Sequence, residues 1–263
     1  MSPSTNLTLI LGGGFTGLFT ALHMRHLSCP GSIVLVDRQD RFIFKPLLYD
    51  FLSGELDTDQ VWPRYNTLLH DSGISFVQDT VNSIDLDGRQ VEMRSGLRYT
   101  YSHLVLALGS TIGYFGTEGA QENSFPFRTG EDAVALGTHL RMQLQRATQT
   151  PDSERLPLLT VAVIGAGPAG VELSLTLADL LPEWYQDLGG NPGQIRVVLI
   201  NRGEEILEGD INSRLRDKAR TAMHQRAVPV ELLSGAAVSA VRTGSVEFKR
   251  GEEHGSLQAA TCI

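Results

Sequence analysis

Two glycine clusters about 150 residues apart are the part of this chain best suited to chemistry. The first, Gly12-Gly13-Gly14-Phe15-Thr16-Gly17, follows the apolar run Leu7 to Leu11. The second, Gly165-Ala166-Gly167-Pro168-Ala169-Gly170, follows Val161 to Ile164. Both fit G-x-G-x-x-G, in which the glycines permit a tight turn, a close backbone approach to a pyrophosphate and close packing of helix on strand. One such motif is weak evidence. Two, each in a strand–turn–helix setting, point to two dinucleotides in one chain and to electron transfer between them.

A carboxylate at the right distance strengthens the first motif. Asp37 ends the next predicted strand, Ile33 to Val36, about twenty positions after Gly17. An acid there can accept hydrogen bonds from both ribose hydroxyls of an adenosine. The plainer alternative is an exposed acid in a strand-end turn. The corresponding position in the second unit is Asn201, followed by Arg202. An acid would repel a 2′-phosphate, whereas Asn-Arg accepts one, so the reading leans slightly to NADPH tolerance. Alternatively Asn201 bonds the ribose of NADH and Arg202 is solvated. On the first alternative, Asn201→Glu loses NADPH and keeps NADH. Glu172 lies two residues past Gly170; it either serves the helix dipole or sits near the nicotinamide.

The elements that must carry these residues read as α/β. A helix is predicted from Phe15 to Leu27, stopped by Cys29-Pro30-Gly31, and short strands at 75–78, 81–86, 90–93 and 101–108, with a hairpin turn at Asp87-Gly88. Thr129 to Asp132 resembles a capping box that opens a helix to about Ala147. Residues 148–157 read as a polar linker, the second glycine cluster opens a helix from Pro168 to Leu181, and Ile195 to Ile200 is a buried strand. A helix near 211–225 and short strands finish the chain. The boundary falls at 115/116, giving a first domain of 1–115 and a second of 116–263.

Composition excludes several classes. The net charge of −8, with 22 basic residues scattered among 30 acidic ones, argues against a nucleic-acid surface. No apolar run reaches the roughly 20 residues that span a bilayer. The N-terminus lacks a basic secretory leader, and the two cysteines, Cys29 and Cys262, form no C-x-x-C or metal spacing. These features predict a soluble chain in a reducing compartment without a metal site.

Longer stretches carry a family resemblance. Phe42-Ile43-Phe44-Lys45-Pro46-Leu47-Leu48-Tyr49, Tyr101 to Ser110, Phe125 to Ala133 and Gly170-Val171-Glu172-Leu173 are similar, in order, to segments of the two-dinucleotide flavoproteins. Within these, the chain resembles the type II NAD(P)H:quinone dehydrogenases. The resemblance implies two Rossmann-like domains of the glutathione-reductase plan. FAD would be held by the 12–17 turn, Asp37, Arg38, Lys45, Pro46, Leu47, Val81, Ala107, Leu108 and Gly109. NADH or NADPH would be held by Gly165, Gly167, Pro168, Ala169, Gly170, Asn201 and Arg202. Glu172 would lie at the flavin–nicotinamide contact. Hydride transfer to FAD and two-electron transfer to a quinone would follow.

The resemblance further implies a peripheral protein on the cytoplasmic side of a membrane, and it allows a homodimer. Members are usually longer, and their second flavin contact, quinone pocket and membrane-binding segment would fall beyond Ile263, leaving the flavin domain incomplete. The end of this chain, Ala259 to Ile263, is read as the strand returning to that domain. Absence of a dithiol disfavours the disulfide-reductase branch. The alternatives are a soluble reductase of a protein acceptor such as ferredoxin, and a non-catalytic redox sensor or truncated pseudoenzyme.

Overall fold

The computed structural model describes residues 6–209 and 211–263. Within them the chain divides at Thr111/Ile112 into two units, four residues before the sequence boundary. In the first unit, β1 (Leu7–Leu11) lies at the centre because its apolar run can be buried on both faces, and Leu9, Ile10 and Leu11 are fully buried. The chain crosses through α1 (Phe15–His26) to β2 (Ser32–Asp37), parallel to β1 with Leu11 opposite Val36. Gly17, Leu18 and Ala21 form the helix face that packs inward. Left-handed Ser28 and Gly31 then turn the chain into β2.

A long excursion returns as β3 (Ile74–Gln78), followed by a three-stranded antiparallel meander and a last parallel strand. The meander is β4 (Val81–Asp85), β5 (Gln90–Met93) and β6 (Arg98–Thr100), and the last strand is β7 (His103–Leu106). The parallel sheet runs β3-β2-β1-β7. The short strand β6, rich in polar residues, has no apolar pattern and was not predicted.

The second unit repeats this plan. Its first long helix, α2 (Gly130–Thr148), opens on the predicted capping box: Thr129 Oγ accepts from the Asp132 N–H, and Asp132 accepts from the Thr129 N–H at 2.8 Å. Next come β8 (Thr160–Ile164), α3 (Pro168–Asp187), β9 (Arg196–Ile200), α4 (Ser213–His224) and β10 (Glu231–Leu233). A meander of β11 (Ala236–Arg242), β12 (Ser245–Arg250) and β13 (Glu253–Gln258) precedes β14 (Thr261–Cys262). The parallel sheet runs β10-β9-β8-β14, the counterpart of β3-β2-β1-β7.

Three expectations are corrected. The chain's end does not return to the first unit: Thr261 pairs with Val161 and Cys262 with Ala162 in the second sheet. Both are buried, and β14 covers the flank of β8 as β7 covers β1. The expected linker is ordered as a helical turn, Asp152–Arg155, and a 3-10 turn, Leu156–Leu159. There Arg155 pairs with Asp152 at 2.8 Å and donates to the Thr150 carbonyl. Finally, α3 continues through Pro182 to Asp187. An internal proline costs about 3 kcal/mol; beyond it Tyr185 is fully buried, which returns about 2 kcal/mol, and Trp184 packs under the Arg141 guanidinium at 3.8 Å.

Candidate functional site

In the first unit the glycine turn joins β1 to α1. Gly12 has φ +100°, and its N–H donates to the Val36 carbonyl at 2.8 Å, tying the turn to β2. A Cβ on Gly17 would stand 1.8 Å from the Gly12 carbonyl oxygen, so only glycine lets the helix come this close to the turn. Gly14 is different: a Cβ there meets nothing within 4 Å. It caps α1 without any side-chain hydrogen bond, so the first-turn N–H groups point into open space. Such a helix end attracts an anion through unsatisfied donors and the helix dipole.

Around this helix end lies a cleft of about 810 Å³. Gly14, Phe15 and Thr16 form one wall, Ile43 to Pro46 a second, and Leu106 to Gly109 at the carboxyl end of β7 a third. Leu106 and Leu108 are more than half exposed there, and Phe15 packs against Phe44 with ring centroids 5.9 Å apart. The lining is apolar with one lysine, Lys45, which suits a flat ring system joined to an anionic tail.

Asp37 ends β2 beside the turn. Its Oδ2 accepts from the Gly13 N–H at 2.6 Å and its Oδ1 from the Gln39 N–H at 2.8 Å. The structure therefore brings together the 12–17 turn, Asp37, Lys45, Pro46 and Ala107 to Gly109. Arg38 is exposed just beyond Asp37, and its carbonyl accepts from Gln78. Leu47 closes the 3-10 turn Lys45–Leu47 outside the cleft lining, and Val81 packs against the cluster of Leu9, Val91 and Met93. Sequence reasoning missed Tyr65. This residue is 2% exposed, and its hydroxyl donates to the Gly13 carbonyl at 2.7 Å from 52 positions away. No motif marks it.

The second unit repeats the turn. Gly165 has φ +105°, its N–H donates to the Ile200 carbonyl at 2.8 Å, and a Cβ on Gly170 would stand 1.9 Å from the Gly165 oxygen. Gly167 starts α3 with open space about its Cβ position and no side-chain cap, and Pro168 occupies the first helical position. Pro168 and Ala169 are exposed beside it.

Asn201 stands where Asp37 stands in the first unit. Its Oδ1 accepts from the Ala166 N–H at 3.4 Å, and its Nδ2 donates to the carbonyls of Gly203 at 3.0 Å and Glu205 at 2.7 Å. The amide is thus spent on the loop after β9, which the sequence reading did not foresee. A glutamate could not donate those bonds, so Asn201→Glu does not isolate cosubstrate choice. Arg202 is exposed with no partner among the described residues. Glu172 is exposed one turn into α3 and does not cap it; its carbonyl accepts from the Thr176 hydroxyl, and its carboxylate has no partner among the described residues.

Among the described residues no group of histidine, cysteine, aspartate and glutamate could hold a metal ion, and no helix is long and apolar enough to cross a membrane. Both cysteines are free, Cys29 in the first unit and Cys262 buried in the second.

Comparison with known proteins supplies the setting. The sequence profile of the pyridine nucleotide-disulphide oxidoreductases matches residues 7–263. The alternative NAD(P)H-ubiquinone oxidoreductase C1, chloroplastic/mitochondrial, of Arabidopsis thaliana is 37% identical over 253 residues, covering 90% of this chain and 45% of that protein. The demethylphylloquinone reductase NdbB of Synechocystis sp. is 34% identical over 254 residues, covering 93% of this chain and 58% of that protein. The chain thus spans about half the length of these curated relatives. The structure of NDH2 from Plasmodium falciparum in complex with NADH has the same fold, with a TM-score of 0.87 over 98% of this chain and 54% of that one, at 20% identity.

Proposed function

The chain belongs to the pyridine nucleotide-disulphide oxidoreductase family, and on that footing we propose that it is the two-nucleotide part of a type II NAD(P)H:quinone oxidoreductase. The observation that carries this reading is the repeated, uncapped glycine turn, one per unit, each with open space at its middle glycine. FAD fits the first unit and reduced nicotinamide the second. The apolar cleft of Phe15, Phe44, Leu106 and Leu108 suits an isoalloxazine.

The chain's own residues would bind and position. The N-termini of α1 and α3 hold the two pyrophosphates through backbone N–H groups. The free lone pairs of the Asp37 carboxylate orient a ribose, and Lys45 places positive charge at the cleft. Apolar walls exclude water from the ring, which strengthens these electrostatic contacts. Arg202, exposed beside Asn201, is available to a 2′-phosphate, so NADPH is accepted alongside NADH. FAD held by the 12–17 turn and Asp37 would supply a hydride acceptor for the nicotinamide and a two-electron donor for a quinone. Glu172 belongs to the nicotinamide side in this reading; Glu172→Gln leaving both nicotinamide affinity and hydride transfer unchanged removes it from the site. Membrane-surface attachment and a homodimer are part of the same proposal. The relatives' names favour a quinone over a disulfide as acceptor, and two cysteines in separate units agree with that.

The test is an anaerobic absorbance titration of the chain with FAD, then with NADH and NADPH, then with a water-soluble quinone. Flavin that binds, bleaches with nicotinamide and recovers with quinone is the expected result. Failure to bind FAD at any concentration refutes the flavin site. Flavin that binds without bleaching leaves a dinucleotide-binding sensor instead.

A further inference from the structure

The two glycine turns are held in the same two places by different chemistry. In each, the second fingerprint residue is gripped through both its N–H and its carbonyl. The Ala166 N–H donates to Asn201 Oδ1, and the Ala166 carbonyl accepts from the Leu207 N–H at 2.8 Å. The Gly13 N–H donates to Asp37 Oδ2, but the Gly13 carbonyl has no backbone donor among the described residues and accepts from the Tyr65 hydroxyl instead. Tyr65 is itself fixed. Its ring stacks on Phe76 with centroids 4.4 Å apart, and its N–H donates to the Asp40 carbonyl at 3.0 Å. The phenol lies so close that a Cβ on Gly13 would stand 2.4 Å from its oxygen, so the tyrosine also dictates glycine at that position.

From this we infer that Tyr65 is a positioning residue, which locks the first glycine turn in its anion-binding geometry by fixing the Gly13 carbonyl while Asp37 fixes the Gly13 N–H. Without the hydroxyl, the carbonyl loses its buried partner and the Gly13–Gly14 peptide is free to rotate, carrying the Gly14 N–H off target. Burial and the nearby Asp37 charge push the Tyr65 phenol up from its ordinary value, so it stays protonated and remains a donor throughout the neutral range. The functional consequence, tighter flavin binding, rests on the flavin assignment made above.

Tyr65→Phe keeps the ring and its stack on Phe76 and removes only the hydroxyl. The expected result is an approximately tenfold weaker affinity for FAD with NADH affinity unchanged. Turnover and KM for NADH should return to the parent values at saturating FAD. In the nucleotide-free chain, amide hydrogen exchange should speed up in residues 12–17 and not in 165–170. A purely structural tyrosine would lower thermal stability and leave FAD affinity at low temperature intact. FAD affinity within twofold of the parent overturns the inference, as does equal loosening of both turns. If the parent itself binds no FAD, the flavin assignment fails, and the exchange contrast between the two turns still decides whether Tyr65 is the lock.

Discussion

Replacing Asn201 by aspartate tests whether the strand-end residue of the second unit acts on the loop or on the ligand. Its Nδ2 donates two hydrogen bonds, to Gly203 and Glu205, and aspartate can donate neither when ionised. Two such bonds are worth about 1 kcal/mol each, and leaving two carbonyls facing a carboxylate adds a comparable cost, so the variant should lose about 2–4 kcal/mol. The Glu205 carboxylate also pairs with Arg220 of α4 at 2.6 Å, so a displaced loop pulls on that helix contact too. Urea denaturation followed by circular dichroism should show the lower midpoint, and NADH and NADPH should both bind more weakly. The defect should shrink on acidification. The mispaired carboxyl has a raised folded-state pKa, so its penalty is full above that value and fades as falling pH protonates it, restoring one donor. If stability stays within about 0.5 kcal/mol of the parent and only NADPH binding is lost, Asn201 reads the ribose directly and the loop argument is wrong.

Four further outcomes follow from local geometry and burial. Gly14→Ala should fold normally yet weaken FAD binding, because its Cβ enters space that only a ligand would fill. Gly170→Ala, with a Cβ 1.9 Å from the Gly165 oxygen, should destabilise the second unit by about 2 kcal/mol or more; equal effects of the two variants in a melt would contradict this. Tyr185→Phe should be neutral or stabilising by up to about 2 kcal/mol, since the Tyr185 hydroxyl is buried with no partner among the described residues; a clear loss of stability would refute this. Burial pushes the Cys262 thiol from 9.0 up to about 11, so the folded form resists ionisation. Stability should therefore fall as pH rises from about 9 towards 11, where only the unfolded thiol ionises, and Cys262→Ala should flatten that slope in denaturation curves.

The sequence by itself determined both glycine turns, the strands and helices around them, and the carboxylate after β2. Those features are local: Gly12 and Gly165 must adopt positive φ, apolar runs must be buried, and a strand end lies a fixed number of residues beyond a helix. The capping box at Thr129 was legible for the same reason, because its two hydrogen bonds span three residues. Tertiary structure decided the rest. Pro182 should end a helix on propensity alone, yet α3 runs on to Asp187, where Tyr185 is buried and Trp184 meets Arg141. Residues 148–157 look like a linker until Arg155 finds Asp152 and the Thr150 carbonyl. The two-residue strand β14 has no pattern that says which sheet it joins, and the choice is made by the open flank of β8. Tyr65 and the amide of Asn201 show the limit most clearly. Which donor satisfies a buried carbonyl depends on which chain segment the fold brings within 3 Å, and no spacing in the sequence encodes that.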